Sequence, residues 1–269
     1  MQAHNPSFVV ATYNVLASAY IQRARYPRSP AMVLTQAWRA AALVQQISSL
    51  EADIFCLQEV EPQTLAALNA RLGSRGYSNR YARKSGGGAE GCATFYRQDL
   101  AALSGETVIR FADGLGAEPD TGSIALVTIH GISGYRLGII NTHLTWDPPG
   151  TAREHQRGLR QVNQLLREYE KIAAAADDWM IAGDLNVIPG SEIVSLIERT
   201  GFRFAHAKRA EMCTCSFNGE VKMIDYLFHS PRLRARPIDS FAIDARTVLP
   251  SAEQPSDHVP VIARFDWKI

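Results

Sequence analysis

A set of polar residues stands where otherwise apolar stretches of the chain stop: Asn14, Glu59, His143, Asp184 with Asn186, Asp225, and Asp257 with His258. Taken one at a time, an Asp or Asn at such a junction is most often a turn or cap residue, and a solitary histidine most often a structural one. Repetition of the pattern at junction after junction argues otherwise, because strand ends and their loops are where rigid scaffolds mount reactive groups. Glu59 and Asp257 are hard oxygen ligands and suit Mg²⁺, which takes only one or two carboxylates from a protein. Hydrolysis of a phosphate ester needs an activated water, neutralised phosphoryl charge and help for the leaving oxygen. Asp184 could orient and deprotonate water, Asn186 could donate to a phosphoryl oxygen, and a protonated imidazole could stabilise developing negative charge. Asp225, paired with one ring nitrogen of His258, would fix its tautomer and raise its affinity for a proton. Neither a serine elbow nor a cysteine-rich zinc cage accompanies these groups.

The segments that must position them have short-range signatures. Phe8 to Ala11 and Ile54 to Leu57 are continuous apolar runs, as strands buried on both faces would be. Between them Ala40, Leu43, Ile47 and Leu50 recur at helical spacing behind Thr35, an expected cap. Thr151 and Glu154 form a capping-box pattern ahead of Leu159, Val162, Leu166, Tyr169 and Ile172, the apolar stripe of a long amphipathic helix. Trp179 to Ala182 runs into Gly183 and Asp184, with a short helix expected after Gly190 and Ser191. Further strands are expected at Cys92 to Tyr96, Ser123 to His130, Tyr135 to Asn141, Met223 to His229 and Val259 to Phe265. A sheet-on-sheet core with helices outside is the simplest way to cover both faces of each sheet. The loop Ser85 to Glu90, rich in glycine, follows a strand-like stretch without opening a helix, which argues against a P-loop or dinucleotide fingerprint.

Of 269 residues, 46% are hydrophobic, enough for a sizeable core; Lys plus Arg number 28 against 27 for Asp plus Glu. A formal charge of +1 excludes a non-specific nucleic-acid coater, so any grip on nucleic acid must be local. No apolar run approaches bilayer length and the start lacks a signal-peptide pattern. A soluble cytoplasmic protein is expected. Four cysteines do not make a disulfide framework, and Cys56 and Cys92 read as small core residues. Residues 1–269 are expected to form one catalytic domain.

The strings TYN (Asn14), LQE (Glu59), GCATFYR, NTHL (His143), GDLN (Asp184, Asn186), IDYLF (Asp225) and SDH (Asp257, His258), in this order, resemble the endonuclease/exonuclease/phosphatase or DNase I-like superfamily. The resemblance implies a four-layer α/β sandwich, two central mixed β-sheets flanked by helices, with a divalent metal at their shared edge. It implies that Glu59 binds the metal, Asn14 orders the metal site and Asp257 lies near the metal. Asp184 would activate water, Asn186 position the phosphate, His143 and His258 face it, and Asp225 pair with His258. TYNVLA, Tyr26-Pro27, Trp38 with Arg39, LQEVE and NTHLTWDP are most similar to the branch holding deadenylases, nocturnin and the angel proteins. That likeness sets Pro148 near a terminal adenine. The matching phenylalanine position is Glu220 here, with Phe217 nearby in a shifted register.

Lys222, three residues before Asp225, is a candidate for a substrate phosphate, and Arg80, Arg83 and Lys84 for steering it. Trp146 and Tyr81 are candidates for base stacking. Cys213, Cys215 and His206 offer too few ligands for a structural zinc site. The leading expectation is a Mg²⁺-dependent phosphodiesterase, with Mn²⁺ as substitute, acting as a 3′ exoribonuclease on RNA or oligoadenylate. The alternatives are a nucleotide phosphatase, acting on NADP(H) or a cyclic phosphate, and a non-catalytic RNA-binding module. Its partner would be an RNA 3′ end or a nucleotide; no protein complex is implied, and a monomer is expected.

Overall fold

The structure, a computed structural model, describes residues 7–86, 88–209, 212–217 and 219–268; Gly87, in the expected glycine-rich loop, lies outside them. In chain order the elements are β1 Ser7–Asn14, α1 Gln36–Ser49, β2 Ile54–Val60, α2 Pro62–Gly73, β3 Tyr77–Arg83, β4 Gly91–Arg97, β5 Ala102–Arg110, β6 Ile124–Ile132 and β7 Tyr135–His143. There follow α3 Arg157–Ile172, β8 Asp178–Asp184, α4 Glu192–Arg199, β9 Arg203–Phe204, β10 Cys215–Phe217, β11 Glu220–Lys222, β12 Asp225–His229, β13 Leu233–Ile238 and β14 Val261–Trp267.

Two six-stranded mixed sheets form, in the orders β13-β14-β1-β2-β4-β3 and β5-β6-β7-β8-β12-β9, and β10-β11 is a separate hairpin. The pairs β1/β2 and β7/β8 are parallel; each is joined through a helix, α1 or α3, as parallel neighbours require. Leu43, Ile47, Leu68 and Leu72 of α1 and α2 pack on Val9, Ala11 and Phe55 of the first sheet. Leu159, Val162, Ile193 and Ile197 of α3 and α4 pack on Ile140, Trp179 and Phe228 of the second. Phe8, Val10, Ile54, Ile139, Met180 and Leu227 fill the space between the sheets. The four-layer sandwich expected from the sequence is the fold observed.

Two helix starts differ from the local patterns. Thr35 occupies the cap position of α1, but its hydroxyl donates to the Met32 carbonyl at 2.8 Å rather than accepting from the helix. The Thr151/Glu154 box does not open α3: Arg153–His155 is a short 3₁₀ turn, and the Thr151 hydroxyl donates to Pro148. The cap comes from Asp147, whose carboxylate accepts from the backbone N–H of Arg157 at 2.8 Å and Gly158 at 2.9 Å. A charged acceptor suits the positive end of a helix better than a hydroxyl. Ser191 caps α4 as expected, accepting from Val194 N–H.

Candidate active site

Strand periodicity brings the polar ends together. In β1, Phe8 and Val10 face the inter-sheet core while Val9, Ala11 and Tyr13 face the helices; side chains alternate, so Asn14 falls on the inter-sheet side. The same parity carries Leu137 and Ile139 to His143, Met180 and Ala182 to Asp184, and Leu227 to Asp225. β7 and β8 are in register, with His143 opposite Asp184, and Asp225 opposes Asp184 on the other side. β2 needs a correction of one residue, since Gln58 has the inward parity. A register shift between Leu57 and Val60, with Glu59 at φ +58°, re-aims the glutamate, as bulges beside functional sites do. Gly183 is obligatory for the pairing: its φ is +143°, and a Cβ there would overlap the Thr142 carbonyl oxygen.

Asn14 Nδ2 donates to Glu59 Oε1 and to Asp184 Oδ2, each at 3.0 Å, and its Oδ1 accepts from Leu16 N–H. Glu59 Oε2 accepts from Ala17 N–H at 2.7 Å. Asp184 Oδ2 lies 3.6 Å from His143 Nε2 and 3.7 Å from His258 Nε2. His258 Nδ1 is 2.9 Å from Asp225 Oδ2. Asn186, at φ +55°, donates its backbone N–H to Asp184 Oδ1; its side-chain amide lies 3.0 Å from His143 Nε2 and 2.9 Å from the Leu144 carbonyl. With both amide protons engaged, Asn186 orients His143 in this structure, and a phosphoryl oxygen would have to displace one partner.

The two imidazoles are driven in opposite directions. Burial holds His143 well below its ordinary range, helped by the positive charges of Lys84 and His258. Burial also works against charge on His258, but Asp225, close and hydrogen-bonded, overrides it and raises the ring well above its usual value. Asp184 is pushed up to about 7 by burial and the neighbouring Asp225 charge, against the pull of His258 and Asn14. Burial raises Glu59 too, opposed by its bonds from Asn14 and Ala17. Opposite shifts in adjacent titratable groups mark acid and base roles.

The donor set fits a hard divalent cation. Asp257 Oδ1 is buried with no hydrogen-bond partner among the described residues, Glu59 feels its charge, and both line one cleft. Oxygen-rich, negatively charged and unpaired is the character Mg²⁺ requires. Asp257 Oδ2 accepts from the Tyr26 hydroxyl at 2.8 Å. The buried Arg39 donates to the carbonyls of Val15, Leu16 and Pro255, tying the loop after β1 to the loop that carries Asp257.

The cleft measures about 440 Å³; Trp146, Phe217, Thr145, Lys84 and Arg25 line it with Glu59, His143, Asn186, Asp257 and His258. Of the expected substrate contacts, Trp146 and Phe217 are there, both exposed, and Phe217 sits edge-on against Tyr26. The hairpin resolves the register question: Phe217 pairs with Glu220 across β10-β11, and the phenylalanine faces the cleft. Lys222 does not line the cleft; it is ion-paired with Glu220 on the exposed hairpin. Pro148 is not a lining residue either, its carbonyl closing the Thr151 turn. Of the basic run, only Lys84 enters, held 3.1 Å from Glu90, which also receives the Tyr20 hydroxyl. Arg80 pairs with Glu106, and Arg83 donates to Gly88. Tyr81 donates to the Val60 carbonyl and packs in the helix-side core.

This geometry, two mixed sheets with an acidic and imidazole-lined cleft at one shared end, is that of a phosphoester hydrolase. The profile of the Endonuclease/Exonuclease/phosphatase family matches residues 11–258, and the chain belongs to that family. It is 25% identical to Carbon catabolite repressor protein 4 homolog 4 of Arabidopsis thaliana, covering 96% of this chain and 77% of the plant protein. It is 26% identical to the CCR4-Not complex 3′-5′-exoribonuclease subunit Ccr4 of Saccharomyces cerevisiae, covering 97% of this chain but only 39% of the yeast one. Among solved structures it is similar to ANGEL2, a 2′,3′-cyclic phosphatase, with a TM-score of 0.85, 20% identity and coverage of 98% and 97% of the two chains. The human Nocturnin catalytic domain matches with a TM-score of 0.76, 22% identity and coverage of 98% and 94%. These relatives lie in the branch that the sequence motifs resemble.

Proposed function

We propose that the protein is a Mg²⁺-dependent phosphodiesterase that removes nucleotides from the 3′ end of RNA or oligoadenylate. The observation that carries this is the placing of Asp184 Oδ2, buried directly behind a nucleotide-sized cleft, between the two imidazoles that line it, 3.6 and 3.7 Å away. Asp184 is the base: raised to about 7, it can accept a proton from water at Oδ2 near neutral pH. His258, cationic on Asp225, donates from Nε2 to the phosphoryl oxygens, and the neutral His143 lines the same wall. Glu59 and Asp257, oriented by Asn14 and Tyr26, would hold the cation. When bound, Mg²⁺ supplies charge neutralisation at the phosphoryl group.

The Trp146 and Phe217 rings at the mouth would grip a terminal base, and Lys84 and Arg25 the adjoining phosphates. Exonuclease relatives support the polymer substrate. A cleft of about 440 Å³ also suits a whole small nucleotide, which sustains the phosphatase reading as the second one. Among the described residues no helix is long and apolar enough to cross a membrane, and all four cysteines are free; the free thiols support a reducing, cytoplasmic location.

The test is a release assay on end-labelled oligoadenylate, RNA ending in a 2′,3′-cyclic phosphate, and NADP(H), with Mg²⁺, Mn²⁺ or a chelator. Stepwise mononucleotide release from the 3′ end is expected with either metal and none with chelator. Phosphate release from NADP(H), or ring opening, with oligoadenylate untouched would replace the exonuclease reading by the phosphatase one. Tight RNA binding without any hydrolysis would leave only a binding module.

A further inference from the structure

Cys213 and Cys215 take no part in the mechanism above, and the fold separates them. Cys213 packs beside Ile243, Leu249 and Val259. Cys215, only 8% exposed, faces His258 across an antiparallel bridge. The flanking bonds run from Ser216 N–H to the Asp257 carbonyl at 2.9 Å and from Val259 N–H to the Thr214 carbonyl at 2.8 Å. Cys215 and His258 are therefore the kind of facing pair that exchanges no backbone bonds, the one in which side chains approach most closely. The Cys215 thiol, a ring nitrogen of His258 and a carboxylate oxygen of Asp257 all lie within 4.8 Å of one another. His206 is not part of this group: its ring bonds the Ile262 carbonyl.

Two features turn proximity into a ligand set. Asp225 occupies Nδ1 of His258, which leaves Nε2 to coordinate, 3.9 Å from Asp257 Oδ1. That is the carboxylate–histidine arrangement found behind metal-ligating imidazoles. Asp257 is more than nine-tenths buried, and its Oδ1 has no hydrogen-bond partner among the described residues. One sulfur, one imidazole nitrogen and one carboxylate oxygen, with a fourth position open, match a borderline-soft cation that prefers tetrahedral sites; Mg²⁺ does not select thiolate.

We propose that Cys215, Asp257 and His258 form a site for Zn²⁺ or another thiophilic divalent cation, and that filling it inhibits the enzyme by occupying Nε2 of His258 and taking Asp257 from Mg²⁺. Binding forms metal–sulfur, metal–nitrogen and metal–oxygen bonds and releases the Cys215 thiol proton and any proton on Nε2 to solvent, with no change of oxidation state. Burial pushes the free thiol up to about 11, against the charge and hydrogen bond of His258 and with the help of Asp257 and Asp225; a bound cation would take the place of its proton. The binding half stands independently of the reaction; the inhibitory half rests on the phosphoesterase reading.

Co²⁺ added to the full chain reports binding by sulfur-to-cobalt charge-transfer absorption. The band is expected in the wild type and in Cys213→Ser, and absent in Cys215→Ser and in Cys215→Thr, with circular dichroism showing that each variant is folded. Asp257→Asn should weaken Co²⁺ binding about tenfold or more. At saturating Mg²⁺, Zn²⁺ should inhibit hydrolysis, and the half-inhibitory Zn²⁺ concentration should rise at least about tenfold in Cys215→Ser, each variant compared with its own zinc-free rate. No band in the wild type, or a band that survives both replacements of Cys215, overturns the site. A Cys215-dependent band with hydrolysis indifferent to Zn²⁺ overturns the inhibitory role. A Cys215-dependent band in a protein that hydrolyses no phosphoester upholds the site and overturns the proposed function instead.

Discussion

Two polar layers lie side by side between the sheets, a residue or two apart along the same strands: Thr12, Gln58 and Asn141 in one, Asn14, Glu59 and His143 in the other. The inner layer is closed. Gln58 Nε2 donates to Asn141 Oδ1 at 2.8 Å and to the Cys56 carbonyl, Asn141 Nδ2 to the Ala93 carbonyl at 3.0 Å, and the Thr12 hydroxyl to Cys56. The outer layer is less deeply buried and open, with His143 Nδ1, Asp225 Oδ1 and Asp257 Oδ1 lacking hydrogen-bond partners among the described residues. Buried polar groups are normally satisfied, and unsatisfied ones call for a reason. Neutral amides that complete one another hold two sheets together; titratable groups left incomplete keep the capacity to take a ligand. The same strands therefore carry glue and chemistry within one or two residues.

The sharpest way to break this contrast is Asp184→Ala. Removing a positioned base should lower kcat by about 10²–10⁴-fold. Metal-free stability should change little, because the bonds lost from Asn14 and from the Asn186 N–H are offset by removing a carboxylate whose ionised form burial and the Asp225 charge disfavour. Rates on oligoadenylate and denaturant unfolding of the same preparation test both halves. A variant that unfolds readily yet keeps its rate would place Asp184 with the glue.

Acid separates the structural histidines from Asp184 by sign. His130, bonded to Thr128, and His206, bonded to Ile262, are each held down to about 4 by burial. The unfolded chain then binds protons that these folded rings refuse, so stability should fall as pH drops from about 6.5 to about 4, by up to roughly 3 kcal/mol for each histidine. Asp184 acts oppositely: raised to about 7, it takes up a proton in the folded state first and favours folding as pH falls through 7 toward 4. Unfolding of metal-free protein across this range should therefore show a steeper acid loss in Asp184→Asn than in the wild type, and a shallower one in His130→Asn. Parallel curves for all three would contradict the assignment.

Gln58→Leu should do the reverse of Asp184→Ala. It leaves Asn141 Oδ1 without its donor and removes a partner of Thr12, a loss of about 2 kcal/mol by the usual penalty for a buried unpaired group. The folded fraction should retain kcat within about tenfold, since no acid or base is touched. A large kcat loss at unchanged stability would show that the inner layer also steers the reaction.

How far the sequence reveals this arrangement depends on the range of the interaction. Strands and their polar ends are legible because alternation is a local signal, and Asn14, His143, Asp184 and Asp225 follow from it directly. Glu59 is legible as a residue type but not as a direction, since its placement needs a bulge. The Asp147 cap is hidden because a hydroxyl box nearer the helix imitates it. Tyr26 and Arg39 belong to recognisable motifs, yet their partners Asp257 and Pro255 lie 231 and 216 residues away, beyond any spacing rule. Lys222 misleads for the same reason: closeness to Asp225 in the chain says nothing about which side of a hairpin a lysine takes. Cys215 finds His258 only through strand pairing.

Tyr26→Phe probes the boundary between the layers with the smallest change. The ring stays against Phe217, so packing and the grip on a base should hold, while Asp257 Oδ2 loses its hydroxyl donor. If Asp257 serves a cation, its orientation sets metal affinity, and the Mg²⁺ concentration for half-maximal rate should rise about tenfold, the lower end for an outer-sphere partner. The maximal rate at saturating Mg²⁺ should change little, because Asp184 and His258 keep their own partners. An unchanged Mg²⁺ titration combined with a weaker KM for oligoadenylate would mean that Tyr26 serves the aromatic mouth of the cleft, and Asp257 would then belong with the satisfied structural groups rather than with the metal.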